Sequence, residues 1–490
     1  MPPALRVELR WAVAAIRIHA GAGATGQGRA GLQETFARAM PPASPAAKSE
    51  AGDPLQSITF AFGLGLLVIR FSMLNQMLYM ILHFNPFLMY VFEIPVLIGL
   101  ALTGGIWRSF RGSPAYYWTG YGLWMAAVTP FSTWRSGSLH VVWGFWKVEL
   151  PVLFVIAGLA LTWRACRMVM HAIAWGGLLS VAAGHFFRNQ SSGSERLEIT
   201  FGTVANANDY ACVLLLMLPF VLWLALSSKT IVVRVAIYAA VTAGLYMILS
   251  TGSRGAMLSL SAEILFFLYR GTMRQRMALL ILAPLAVGVA VAGISEHLKS
   301  RILSFSTADS GSQAEAAESL ALRQYELRKT IEYTIANPVL GLGPGQFSTY
   351  EGTNNKTVGG RRGTWMDAHN SYLQASSECG IPGLLLFLAG FLSSGHLLSK
   401  TYRKARQRPD CGDIRAAVFS VMLGMTGFCV AITFLNFAYL FYGPALGGLA
   451  IAMSSAAEHE FERRGAEAGQ AGAPVLPTRA GSSRGQVWTA

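Results

Sequence analysis

The chain has 490 residues, of which 53% are hydrophobic and only 13% charged, about half the charge fraction of an average soluble domain. Such a chain cannot clothe a soluble surface, and its 27 Phe, 12 Trp and 16 Tyr are too much apolar surface to leave disordered. Its apolar stretches run for roughly 20 residues without alternation, which argues against an outer-membrane barrel.

The expected fold class is therefore all-α, a polytopic membrane protein. The net charge of +14 sits in short Lys/Arg clusters between apolar runs. That is a topology signal and not a groove for nucleic acid. The five cysteines, Cys166, Cys212, Cys379, Cys411 and Cys429, are scattered. They offer no disulfide framework and no metal-ligand spacing, so no metal and no cofactor is expected.

In chain order, residues 1–56 are rich in Ala, Gly, Arg and Pro and are expected to form a disordered cytoplasmic tail, with a start at Met40 as an alternative. A nine-helix membrane region is expected over 57–296, with spans at about 57–82, 86–106, 115–132, 138–162, 166–187, 207–228, 231–250, 254–270 and 276–296. Residues 297–379 form one long outer loop. Three further spans follow at about 380–399, 414–434 and 437–455, making about 12 transmembrane helices, and residues 456–490 are a second disordered cytoplasmic tail. With the N-terminus inside, 25 of the 39 Lys and Arg fall on inner segments and every short inner loop holds at least two. Both termini are therefore expected in the cytoplasm.

The loop over 297–379 carries eight basic residues and, up to Asp367, seven acidic ones, so it is near-neutral and long enough to be functional. Within it, residues 314–336 have helical periodicity, with Leu320, Leu327, Ile331 and Ile335 on one face and Arg323, Glu326, Lys329 and Thr330 largely elsewhere. Asn337-Pro338 ends that helix, and the glycines from Gly341 to Gly345 form a turn. A second helix over 369–379 is expected to close at Gly380 and Pro382. The loop is expected to act as a lid packed on the membrane surface.

Four polar residues from separate parts of the chain fall on the outer side: Arg135, Arg254, Arg323 and His369. A guanidinium matches diphosphate oxygens with a bidentate fork and stays charged; Arg254 and Arg135 can equally snorkel to the interface. His369, at a helix start beside Asp367, is either a neutral base or a capping residue. Within the spans, Arg70, Glu93, Lys147, Glu149, Asp209 and Glu263 need partners. Lys147 and Glu149, two residues apart, are expected to pair with different helices.

These stretches resemble the O-antigen ligase and O-antigen polymerase superfamily of bacterial membrane glycosyltransferases. The resemblance rests on Arg254-Gly-Ala-Met-Leu258, on His369-Asn370 followed after nine residues by Gly380-Ile-Pro-Gly383, on Arg323 ahead of the glycine turn, and on residues 201–211 with Asn208 and Asp209. Val204 and Ala205 stand there where a Phe and an acidic residue are more usual. The resemblance implies transfer of a glycan from an undecaprenyl-diphosphate carrier to an acceptor hydroxyl on a lipid or glycan, at the periplasmic face of the inner membrane. It implies catalytic roles for His369, Arg254 and Arg323, and substrate binding by Arg135, Asn370, Asn208 and Asp209. A repeat-unit polymerase uses the same donor. A transporter is the more distant alternative, although no inverted repeat is visible.

Overall fold

The computed structural model describes residues 54–187, 196–199, 204–292, 310–354 and 365–471. Most of both expected tails, and parts of the long loop, lie outside these residues. Among the described residues every regular element is a helix.

The membrane region begins with α1 (Pro54–Ser72), α2 (Leu74–Leu82), α3 (Leu88–Leu102), the short α4 (Gly105–Ser109) and α5 (Ser113–Val128). It continues with α6 (Arg135–Gly144), α7 (Pro151–Leu159), α8 (Trp163–Phe186), α9 (Ala207–Ser227), α10 (Ile231–Ser250), α11 (Arg254–Arg270) and α12 (Met273–Ala292). The long loop contributes α13 (Ser310–Ala336) and α14 (Phe347–Asn354), and α15 (Ser371–Arg406), α16 (Gly412–Ala431) and α17 (Tyr442–Ala471) complete the chain. The expected spans overlap helices or helix pairs among the described residues, with residues 293–296 of the ninth span lying outside them. Seven of the described helical stretches are both long and apolar enough to cross a membrane; this is a multi-pass membrane protein.

Three helices depart from expectation for local reasons. The first span is broken in two at Met73, whose left-handed φ of 57° interrupts the helical turn. A π-helical turn, Phe145–Glu149, joins α6 to α7. The tail expected to be disordered from residue 456 is helical as far as Ala471. Side-chain pairs fasten that extension: Lys404 to Glu458, Arg464 to Asp413, and Arg408 Nη1 to the Phe461 carbonyl.

Apolar packing places α9 at the centre, where 72% of its most apolar window is buried, against 28% for α10 at the edge. Helix α9 packs against α8, α10 and α16, while α15 packs against α5, α16, α17 and the loop helix α13. Some of the intramembrane charges are satisfied by pairing, while Glu93 and Glu263 are buried and one carboxylate oxygen of Glu263 has no hydrogen-bond partner. Arg70 of α1 meets Glu149 at 2.5 Å and lies over the Phe441 ring, and Glu149 also accepts from the Phe441 amide. Lys147 instead donates to Tyr90 of α3 at 3.1 Å. The two residues do pair with different helices.

Candidate active site

Four chain segments converge at one end of the bundle, and each is held by identifiable bonds. The first is the start of α9. Asn206 caps it, its Oδ1 accepting from the amides of Asn208 and Asp209. Asp209 is buried, and one of its oxygens accepts from the Ala205 amide and the Asn206 side chain. Asn208 Oδ1 accepts from Arg196 Nη2 at 3.0 Å, while Arg196 Nε donates to the Thr251 carbonyl at 2.8 Å.

That second bond reaches the next segment, the turn from Thr251 to Ser253 that begins α11. Ser253 caps α11 by accepting from the Ala256 amide, and Arg254 is its first helical residue, half-buried. Gly255 packs closely: a Cβ there would lie 3.0–3.2 Å from the Phe434 side chain, which would have to shift.

The third segment is α13. Its apolar stripe points outward, with Leu327, Ile331 and Ile335 all exposed, while Glu326, Thr330 and Tyr333 are buried. This polar-in, apolar-out arrangement suits a helix lying against lipid, and it turns the Arg323–Glu326 face toward the bundle. Thr334 and Ser376 hydroxyls, 3.0 Å apart, join α13 to α15.

The fourth segment is the start of α15. Asn370, expected to bind substrate, is the N-cap, its Oδ1 accepting from the amides of Tyr372 and Leu373. His369 therefore stands just outside the helix, with a left-handed φ of 41°. Ser371 Oγ donates to the Leu435 carbonyl and accepts from the Phe437 amide, and Asp367 accepts from Asn436 at 2.7 Å. The α16–α17 connection is thereby tied to the histidine segment.

The first three segments and the α16–α17 connection form a cleft lined by Asn208, Cys212, Ser253, Gly255, Ala256, Arg323, Ala431, Phe434 and Leu435, and neither Arg254 nor His369 is in that lining. Arg323 lies in the cleft wall and within electrostatic reach of His369. Burial chiefly lowers the His369 pKa below its ordinary 6.5, Arg323 lowers it further, and Asp367 opposes both. The imidazole is thus held neutral near pH 7. Arg135 is not part of the cleft. It is exposed at the start of α6, whose preceding turn is bonded to the glycine turn through Thr133 and the Leu342 carbonyl. Among the described residues no group of three or more His, Cys, Asp or Glu is placed to hold a metal.

Residues 238–388 match the O-antigen ligase family, Wzy_C. The resemblance to the O-antigen ligase superfamily therefore holds over a segment that begins in α10 and ends within α15. It contains Arg254, Arg323, His369 and Asn370, while Arg135, Asn208 and Asp209 precede it. The match supports an O-antigen ligase- or polymerase-type function in general terms. No curated protein matches the chain significantly.

Three residues of this region were not singled out as site residues from sequence. Arg196 had a signal, being one more arginine on the outer side. Glu326 had one too, three residues from Arg323 and so on the same helical face. Glu378 had none, because its partners are remote. Its carboxylate accepts from the amides of Gly345 (2.7 Å) and Phe347 (3.1 Å) and from the Tyr439 hydroxyl (2.5 Å).

Proposed function

We propose that the protein is an O-antigen ligase-like glycosyltransferase that moves a glycan from an undecaprenyl-diphosphate carrier to an acceptor hydroxyl on lipid A core or a similar acceptor. The observation that carries this reading is the position of Arg323, which lines a cleft beside the Arg254 helix start and acts electrostatically on His369. All three residues lie in the matched segment.

In the proposed reaction the acceptor oxygen attacks the anomeric carbon, a new C–O bond forms, and the bond to the diphosphate breaks. The electron pair leaves on the diphosphate, where Arg254 and Arg323 stabilise the developing charge. Neutral His369 takes or orients the hydroxyl proton. The basic residues concentrated on one set of loops support an inner-membrane location with cytoplasmic termini and a periplasmic site.

The test is the surface-polysaccharide ladder of a deletion strain complemented with wild type, Arg254→Ala, Arg323→Ala or His369→Ala. The ligase reading expects no glycan on lipid A core in the deletion and the three variants. A single repeat unit left on the core marks a polymerase instead. A normal ladder from His369→Ala overturns the mechanism.

A further inference from the structure

The segment between α12 and the Gly380 kink holds three buried carboxyl groups among its described residues, and they differ in one respect. Glu351 accepts from the hydroxyls of Tyr325 and Tyr333. Glu378 accepts from two amides and the Tyr439 hydroxyl. Glu326, only 2% exposed, has no hydrogen-bond partner on either carboxylate oxygen. The Thr330 hydroxyl, one turn along, donates to the backbone carbonyl of Glu326 and not to its carboxyl.

A buried carboxyl with two unused acceptors costs several kcal/mol unless something supplies donors. The charges that face it come from its own helix and from the histidine segment. Arg323 favours its ionised form and Asp367 opposes it, while burial dominates and pushes the Glu326 pKa up to about 7. Glu326 lies one helical turn along α13 from Arg323, on the same inward face, while Arg323 and not Glu326 is in the cleft lining.

We propose that Glu326 is a sugar-recognition residue, its carboxylate accepting hydrogen bonds from glycan hydroxyls bound beside Arg323. The charge environment selects this ligand class. An anion such as diphosphate is repelled by the carboxylate, and a cation by the neighbouring guanidinium. A neutral polyol supplies O–H donors without either penalty. The assignment rests on the glycosyl-transfer reading and adds to it a division of labour: arginines for the diphosphate, Glu326 for the sugar.

The test uses full-length protein in detergent with Glu326→Gln and Glu326→Leu. Binding is measured with the strain's own repeat-unit oligosaccharide, released by mild acid and carrying no diphosphate. Wild type binds it, Glu326→Leu binds at least tenfold more weakly, and wild-type affinity falls as pH drops below about 7 whereas that of Glu326→Gln does not. In transfer assays a raised KM for the acceptor with unchanged kcat assigns the hydroxyl to the acceptor. A raised KM for the lipid-linked donor assigns it to the donor glycan. Equal oligosaccharide affinity in wild type and Glu326→Leu overturns the proposal. So does a Glu326→Leu protein that unfolds at lower temperature than wild type, since that marks a structural carboxyl. If wild type binds oligosaccharide but transfers nothing from the lipid-linked donor, the transfer reading fails while the sugar site stands.

Discussion

His369 is held in a conformation that an L-residue adopts at a cost of about 1 kcal/mol, with φ 41°. The surrounding bonds over-determine it: Asn370 is committed to capping α15, and Ser371 is fastened to the α16–α17 connection. Because burial and Arg323 lower its pKa, the neutral imidazole persists below pH 6.5, and the acid limb of kcat/KM attributable to it should lie below that value. Glu326→Gln removes the other titration near pH 7 and leaves the histidine limb to be read alone. His369→Ala should lower kcat by about 100-fold or more. For Arg323→Ala the expected loss is about 100- to 1000-fold, with Arg323→Lys intermediate because an ammonium keeps the charge but not the planar fork. Glu326 also makes a stability prediction. Its folded-state pKa is raised from 4.5 to about 7, so its contribution to stability is full below 4.5 and is lost as pH rises through 7. In thermal unfolding between pH 5 and 8, Glu326→Gln should remove that part of the decline; identical slopes in wild type and variant would refute it.

At the scale of elements, the glycine turn and the kink of α15 form one unit. Gly380 breaks α15 with φ 70° and ψ 179°, which frees the Ile381 amide to donate to the Pro338 carbonyl at 2.7 Å. A Cβ at Gly380 would lie 2.1 Å from the Val339 carbonyl oxygen, so Gly380→Ala meets both a conformational and a steric penalty. That variant should accumulate poorly and lose activity even though residue 380 is not in the cleft wall; near-normal yield and rate would show that the kink is dispensable. Glu378→Gln keeps the shape but weakens the charge-assisted bonds to Gly345 and Phe347, at a cost of about 1–3 kcal/mol. The turn itself was legible in the sequence, because a run of glycines ending after Asn337-Pro338 cannot continue a helix, and so was the helix end at Gly380. The clamp was not legible, since Glu378 reaches residues 31 and 33 positions away and no local pattern encodes that distance. The inward polar face of α13 was visible as periodicity, but which face meets the protein depends on what surrounds the helix. Asn370 and Arg135 show the same limit: a polar side chain beside a motif can be used up in capping or left at the rim.

Across the whole molecule, the Arg70–Glu149 pair offers a test that separates an enzyme scaffold from a transport pathway. Arg70 and Glu149 are part-buried and paired at 2.5 Å, with Phe441 stacked on the guanidinium and its amide bonded to the carboxylate. The pair thereby joins α1 and the α6–α7 rod to the start of α17. Breaking it from one side leaves a buried charge, which typically costs about 3–5 kcal/mol, whereas replacing both partners with apolar residues is often neutral or stabilising. Arg70→Leu and Glu149→Leu alone should therefore each lower the unfolding temperature and reduce surface glycan through lower protein level. The double variant Arg70→Leu/Glu149→Leu should recover both. A charge relay predicts the opposite pattern for the double variant, because restoring the packing cannot restore a proton or ion path. A recovered fold with glycan transfer still absent would shift the role of these charges from structure to coupling, and with it the balance toward transport.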